Sequence, residues 1–126
     1  MRLHHVNIVV HPGETEQLVG FYTDVLGLRR VDKPAEGTTP GGAWFDISDA
    51  NQLHISERAD AVMHDDMHFG LVVDDLDAIL DRLAAAGAPW QPQADLFGGR
   101  RGSTRDPLGN RIELLEPVGT LSPGPA

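Results

Sequence analysis

The chain has 126 residues, no cysteine and a formal net charge of −9, from 10 Lys and Arg against 19 Asp and Glu. This length suits one domain with one core, and the absent thiols exclude disulfides, thiolate metal sites and cysteine nucleophiles. The acidic balance, with no basic stretch, speaks against nucleic acid or a membrane as partner, and the lack of a long apolar run or a signal-peptide pattern in the opening MRLHHVNIVV leads us to expect a cytoplasmic protein.

Residues 5–10, HVNIVV, read as a strand. Leu18, Phe21, Tyr22, Val25 and Leu26 recur at helical spacing and predict a helix in GETEQLVGFYTDVLGL. It should stop at Gly27, where a C′ residue with positive φ is expected. Gly41-Gly42 then opens a short strand, the turn SDAN and the strand QLHIS. The same order returns. HFGLVV at 68–73 mirrors the first strand, and Leu76, Ile79, Leu80 and Leu83 form the stripe of a second helix that ends at Gly87. Gly98-Gly99 opens a strand, the turn DPLGN and the strand RIELL. Each half is thus strand, helix and three strands, with modules at 1–58 and 65–117 in one domain (1–117) and a flexible tail at 118–126. Two such copies predict a pseudo-twofold α+β domain with paired sheets in which equivalent positions converge.

Four equivalent positions interrupt apolar strands with polar groups: His5 and His68 in the opening strands, His54 and Glu113 in the closing ones. By period-two alternation, Asn7 shares a face with His5, Gln52 and Ser56 with His54, and Arg111 and Leu115 with Glu113. Such a mixed face suits a cavity lining. Three imidazoles and a carboxylate are a good donor set for Zn, Ni, Fe or Mn, and a nearby ion would explain a carboxylate inside a strand. The plainer alternative is a set of half-buried, hydrogen-bonded strand residues, and spacing alone leaves both open.

The segments LHHVNIVV, FYTDVLGL, HFGLVVDDLDAILDRLAAAG and DPLGNRIELLEP resemble the vicinal oxygen chelate superfamily, which includes glyoxalase I, extradiol dioxygenases and bleomycin-resistance proteins. The resemblance covers both modules. It implies two βαβββ modules forming a cup-shaped mixed sheet around a central cavity. It also implies a divalent metal held by His5, His54, His68 and Glu113, and a function as a lyase, isomerase or dioxygenase that chelates vicinal oxygens of a small molecule. Glu113 would double as a general base, and a homodimer is expected. The family commonly has Glu or Gln where His54 stands. Its bleomycin-binding members lack the metal set and sequester an antibiotic, which is the competing expectation.

Three further residues are candidate substrate contacts: Asn7, Arg101 and Trp44. Alignment on the two Gly-Gly pairs matches Arg101 to Trp44, the first as an anion-binding fork and the second as an apolar wall. The alternative makes Arg101 a solvated edge residue and Trp44 core. Asp106, Pro107, Gly109 and Asn110 are read as turn formers and Arg105 as a turn residue. His4 is expected to face away from His5, and His11 and His64 to be solvated.

Overall fold

The computed structural model describes residues 1–116, so the tail expected at 118–126 lies outside the described residues. The chain divides into two compact units, residues 1–64 and 65–126. The described elements run, in the first unit, β1 (His5–Val10), α1 (Glu16–Gly20), β2 (Arg29–Val31), β3 (Ala43–Asp46) and β4 (Gln52–Glu57). In the second they run β5 (His68–Val72), α2 (Leu76–Ala85), β6 (Gln91–Gln93), β7 (Arg101–Arg105) and β8 (Arg111–Leu115). The fold is therefore α+β, two βαβββ modules. The single cup-shaped sheet expected above is described as two four-stranded mixed sheets, ordered β1-β4-β3-β2 and β5-β8-β7-β6.

Each sheet has one apolar and one polar face. In the first unit Leu53, Ile55, Ala43 and Phe45 alternate inward and are buried together with Leu18, Phe21, Tyr22 and Leu26 of the helical segment. In the second, Ile112 and Leu114 form the equivalent face with Leu76, Ile79 and Leu83 of α2. Burial of these side chains is the main favourable term for each module, on the order of 2 kcal/mol per large residue. The alternate residues are left on the opposite, polar face, where every candidate site residue lies.

The two helical segments differ. α2 is a regular α-helix whose N-cap, Asp75, accepts from the Ala78 N–H at 3.0 Å. Gly87 follows it with φ +70°. The first, expected as one α-helix, is α-helical only over α1 and continues as a π-helical turn at Phe21–Val25. The Leu26 N–H reaches back to the Phe21 carbonyl (3.0 Å), the Leu28 N–H to the Tyr22 carbonyl (2.8 Å), and Gly27 takes φ +81°. Within this segment the Thr23 hydroxyl donates to the Val19 carbonyl at 2.9 Å, a back-bond of the kind that bends helices. The wider turn keeps both Phe21 and Tyr22 buried.

The closing hairpin of the second unit forms as its sequence predicts. The Asp106 carboxylate accepts from the backbone N–H of Leu108 (3.0 Å) and Asn110 (2.9 Å), and Gly109 takes φ +93°.

Candidate active site

The strand registers make the internal repeat explicit. In the parallel pair β1–β4, Asn7 lies opposite His54; in β5–β8, Gly70 lies opposite Glu113. In the antiparallel pairs, Trp44 lies opposite His54 and Ser103 opposite Glu113. His54 and Glu113 therefore occupy the same place in two copies of one module, as do His5 and His68.

In the first unit the polar face is a stack of rings. His54 lies between Trp44 (centroids 4.0 Å apart, planes 2° apart) and His5 (4.2 Å, 18°). Its Nε2 is 2.9 Å from the Gln52 amide oxygen, and the Gln52 Nε2 donates to Asp46 at 3.0 Å. That amide, with Arg29 beside it, holds the Asp46 carboxyl below its usual range. Burial, aided by the neighbouring His5 and His4, pushes the His54 imidazolium pKa down to about 4, so the ring is neutral near pH 7. Asn7 accepts a hydrogen bond from Ser56 at 2.8 Å. His4, expected to face away from His5, instead brings its Nδ1 to 3.0 Å from the His5 Nδ1. It precedes β1, so strand alternation does not govern it. Beyond Gln52, an open cleft of about 770 Å³ is lined by Arg2, His4, Arg29, Asp46 and Asn51.

In the second unit the same place holds an ion pair. Glu113 accepts from Arg101 Nη1, and the two side chains are only 11% and 13% exposed. Arg101 also donates through Nε to the Ala94 carbonyl (2.6 Å) and through Nη1 to the Gln93 amide oxygen (3.2 Å), and its guanidinium lies 5.6 Å from the centre of the Phe97 ring. Gly70 leaves room for the carboxylate: a Cβ built there would stand 3.6 Å from Glu113 Oε2 and 3.2 Å from a Leu115 methyl. The expected match of Arg101 to Trp44 is two residues out of register. Ser103 is the counterpart of Trp44, and Arg101 stands opposite Leu115. An even offset preserves the face, which is why Arg101 still reaches Glu113.

Arg105 and Arg111 share that face. Arg105 belongs to β7, and pairs with Asp65 at 2.9 Å; Arg111 donates to Ser103 (3.1 Å) and to Asp66 (3.2 Å). Of these three, Arg101 and Arg111 were read onto this face from the sequence, whereas Arg105, expected as a turn residue, is the last residue of β7, as the alternation in RGSTR signals.

The donor chemistry suits a divalent ion. His54 is in the neutral form a metal requires. The His68 Nδ1 lies 2.8 Å from the Asp66 carbonyl, a contact that needs the proton on Nδ1. Two features must change on ligation. Glu113 already has a cation, and the near-parallel His5 and His54 rings do not aim their in-plane lone pairs at a common point. Among the described residues, no three His, Asp or Glu side chains come together as a group that could hold a metal ion.

Comparison with known proteins decides the family. A sequence profile for the Glyoxalase/Bleomycin resistance protein/Dioxygenase superfamily matches residues 2–114. The chain belongs to this superfamily. No curated protein matches it. Among solved structures, a putative glyoxalase family protein from Bacillus anthracis is 26% identical, with a TM-score of 0.83 over 92% of this chain and 94% of that one. Lactoylglutathione lyase from Agrobacterium tumefaciens is 23% identical (TM-score 0.69, 91% and 92% covered). TnmS3, an antibiotic binding protein from Streptomyces sp. CB03234, is 22% identical (TM-score 0.68, 93% and 96% covered). The superfamily thus contains both enzymes and small-molecule binders. No helix among the described residues is long and apolar enough to cross a membrane.

Proposed function

We propose that this chain is a divalent-metal-dependent enzyme acting on a small oxygenated organic molecule through chelation of its vicinal oxygens, by isomerase, lyase or dioxygenase chemistry. His5, His54, His68 and Glu113 are the ligand set, and Zn, Ni, Fe or Mn suits it. The observations that support this reading are the neutral His54 ring and the bond from the His68 Nδ1 to the Asp66 carbonyl, the kind of second contact that orients a ligating imidazole. When bound, the ion supplies Lewis acidity that holds two adjacent oxygens and stabilises negative charge on them. In this reading Glu113 is the general base that takes a proton from carbon next to a carbonyl. Trp44, Asn7 and Arg101 flank these positions and contact the substrate. In this reading the protein is a cytoplasmic homodimer with residues 1–117 as one functional domain.

A second reading is metal-free sequestration of an antibiotic-sized molecule. It is favoured by the ring stack and the Arg101–Glu113 pair, which satisfy each other without an ion. Metal analysis of protein purified without a His-tag separates the two. About one transition metal per chain, lost in His5→Ala and in Glu113→Ala, supports the enzyme. No metal after offering Mn, Fe, Ni and Zn overturns it in favour of sequestration.

A further inference from the structure

We infer that Arg105 and Arg111, on the polar face of the second unit, form a receptor for a small dicarboxylate, whose place Asp65 and Asp66 hold. All four residues belong to the second unit. The site needs no metal and goes beyond the ligand set proposed above.

The inference starts from strand register. Arg105 and Arg111 are direct cross-strand partners in the antiparallel pair β7–β8. Side chains so placed stand next to each other on one face, and like charges there repel. The hairpin nevertheless positions both cations with neutral groups of its own. Arg105 Nη1 donates to the Gly109 carbonyl at 3.0 Å, and Arg111 Nε donates to the Ser103 hydroxyl oxygen at 3.1 Å. Anions are what such a pair requires, and two neighbouring residues supply them. Arg105 Nη2 meets Asp65 at 2.9 Å, and Arg111 Nη1 meets Asp66 at 3.2 Å. Arg101 takes no part, because Glu113, Gln93 and Ala94 hold it.

The two sides of these ion pairs are unequal. The arginine side chains are 35% and 18% exposed, whereas Asp65 and Asp66 are 89% and 85% exposed. The cations are built into the sheet; the anions ride on a turn just ahead of β5. Carboxylates so exposed gain little from an ion pair and can leave without unpacking anything. The backbone of the turn is tied separately, by the contact between the His68 Nδ1 and the Asp66 carbonyl, so the side chains can swing away while the turn stays. Their arrangement, one carboxylate for each guanidinium, states what the site accepts. A free dicarboxylate supplies both charges, and each of its ends can turn to meet a guanidinium edge through two parallel bonds. A monocarboxylate satisfies one arginine and leaves the other on its aspartate.

The test is isothermal titration of metal-free protein with succinate and with acetate at low ionic strength. The proteins are wild type, Arg105→Gln, Arg111→Gln and the double variant Asp65→Asn/Asp66→Asn. Removing the two tethered competitors should tighten succinate binding roughly tenfold or more relative to wild type. Each arginine substitution should weaken it by roughly tenfold or more, the loss of one charged hydrogen-bonded contact. Acetate should bind every protein more weakly than succinate binds the wild type. Should the arginine variants fail to fold, the double variant, altered only at exposed positions, decides alone. Succinate binding no tighter there than in wild type overturns the inference, and the two ion pairs then only fasten the turn to the sheet. Succinate binding that survives both arginine substitutions, or that acetate equals, overturns it as well. None of these outcomes bears on the metal-dependent reading, which metal analysis tests separately.

Discussion

The two units carry the same backbone plan and opposite electrostatics. At one strand position the first unit has His54, neutral and enclosed by Trp44 and His5; the second has Glu113, charged and paired with Arg101. The difference traces to a position two residues upstream in the neighbouring strand. Counting back from Trp44 opposite His54, the counterpart of Arg101 is Gly42. Gly42 has φ +76°, and a Cβ built there would stand 2.1 Å from the Ile55 carbonyl oxygen. No side chain fits, so the first unit has no cation to place beside residue 54, and an imbedded carboxylate there would have no partner. A neutral imbedded ring avoids that cost. Duplicated scaffolds can diverge in chemistry through such backbone clearance as much as through the functional residue itself.

Breaking the ion pair should have the largest effect. Glu113→Ala leaves Arg101 buried without its carboxylate and should cost about 3 kcal/mol in metal-free protein, read by urea denaturation. Exchanging both partners for apolar residues, Glu113→Leu with Arg101→Met, should cost much less. Equal losses would mean that the pair contributes through packing alone.

The equivalent position in the first unit should respond to pH instead. Because the folded pKa of His54 is about 4, against 6.5 for a free imidazole, the unfolded chain takes up its proton first on acidification. Metal-free protein should therefore lose stability as pH falls from about 6.5 towards about 4, with no such contribution above that window. His54→Gln should remove this part of the profile; an unchanged slope would show that His54 is protonated in the fold.

The helices sharpen the contrast further. Asp75 caps α2, so Asp75→Ala should cost about 1 kcal/mol in thermal or chemical denaturation. The first helix lacks such a cap: the Thr15 hydroxyl donates to Glu57 instead, and with the Gly13 N–H holds that carboxyl below its usual range. The smallest effect should be a gain. Thr104 is buried on the apolar side of β7 and its hydroxyl has no hydrogen-bond partner among the described residues, so Thr104→Val should stabilise by up to about 1 kcal/mol.

Much of this architecture was legible in the sequence because it depends on local rules. Alternation marked β1, β4, β5 and β8, the stripe of Leu76, Ile79 and Leu83 marked α2, and Gly27 and Gly87 marked the helix ends. The Arg101–Glu113 pair was harder to read. It depends on the register between β7 and β8, and the Gly-Gly pairs, similar as text, sit two residues apart in the two hairpins. The π-helical turn was not legible either, since Phe21 and Tyr22 satisfy an α-helical stripe equally well. His4 escaped strand alternation because β1 begins one residue later.

The most direct test of the central claim is anomalous diffraction from crystals grown with Mn²⁺ or Zn²⁺. The account predicts one ion bound by His5, His68 and Glu113, with His54 completing the set and Arg101 turned from Glu113. An intact Arg101–Glu113 pair in crystals whose ion lies elsewhere, or which bind none, would contradict it.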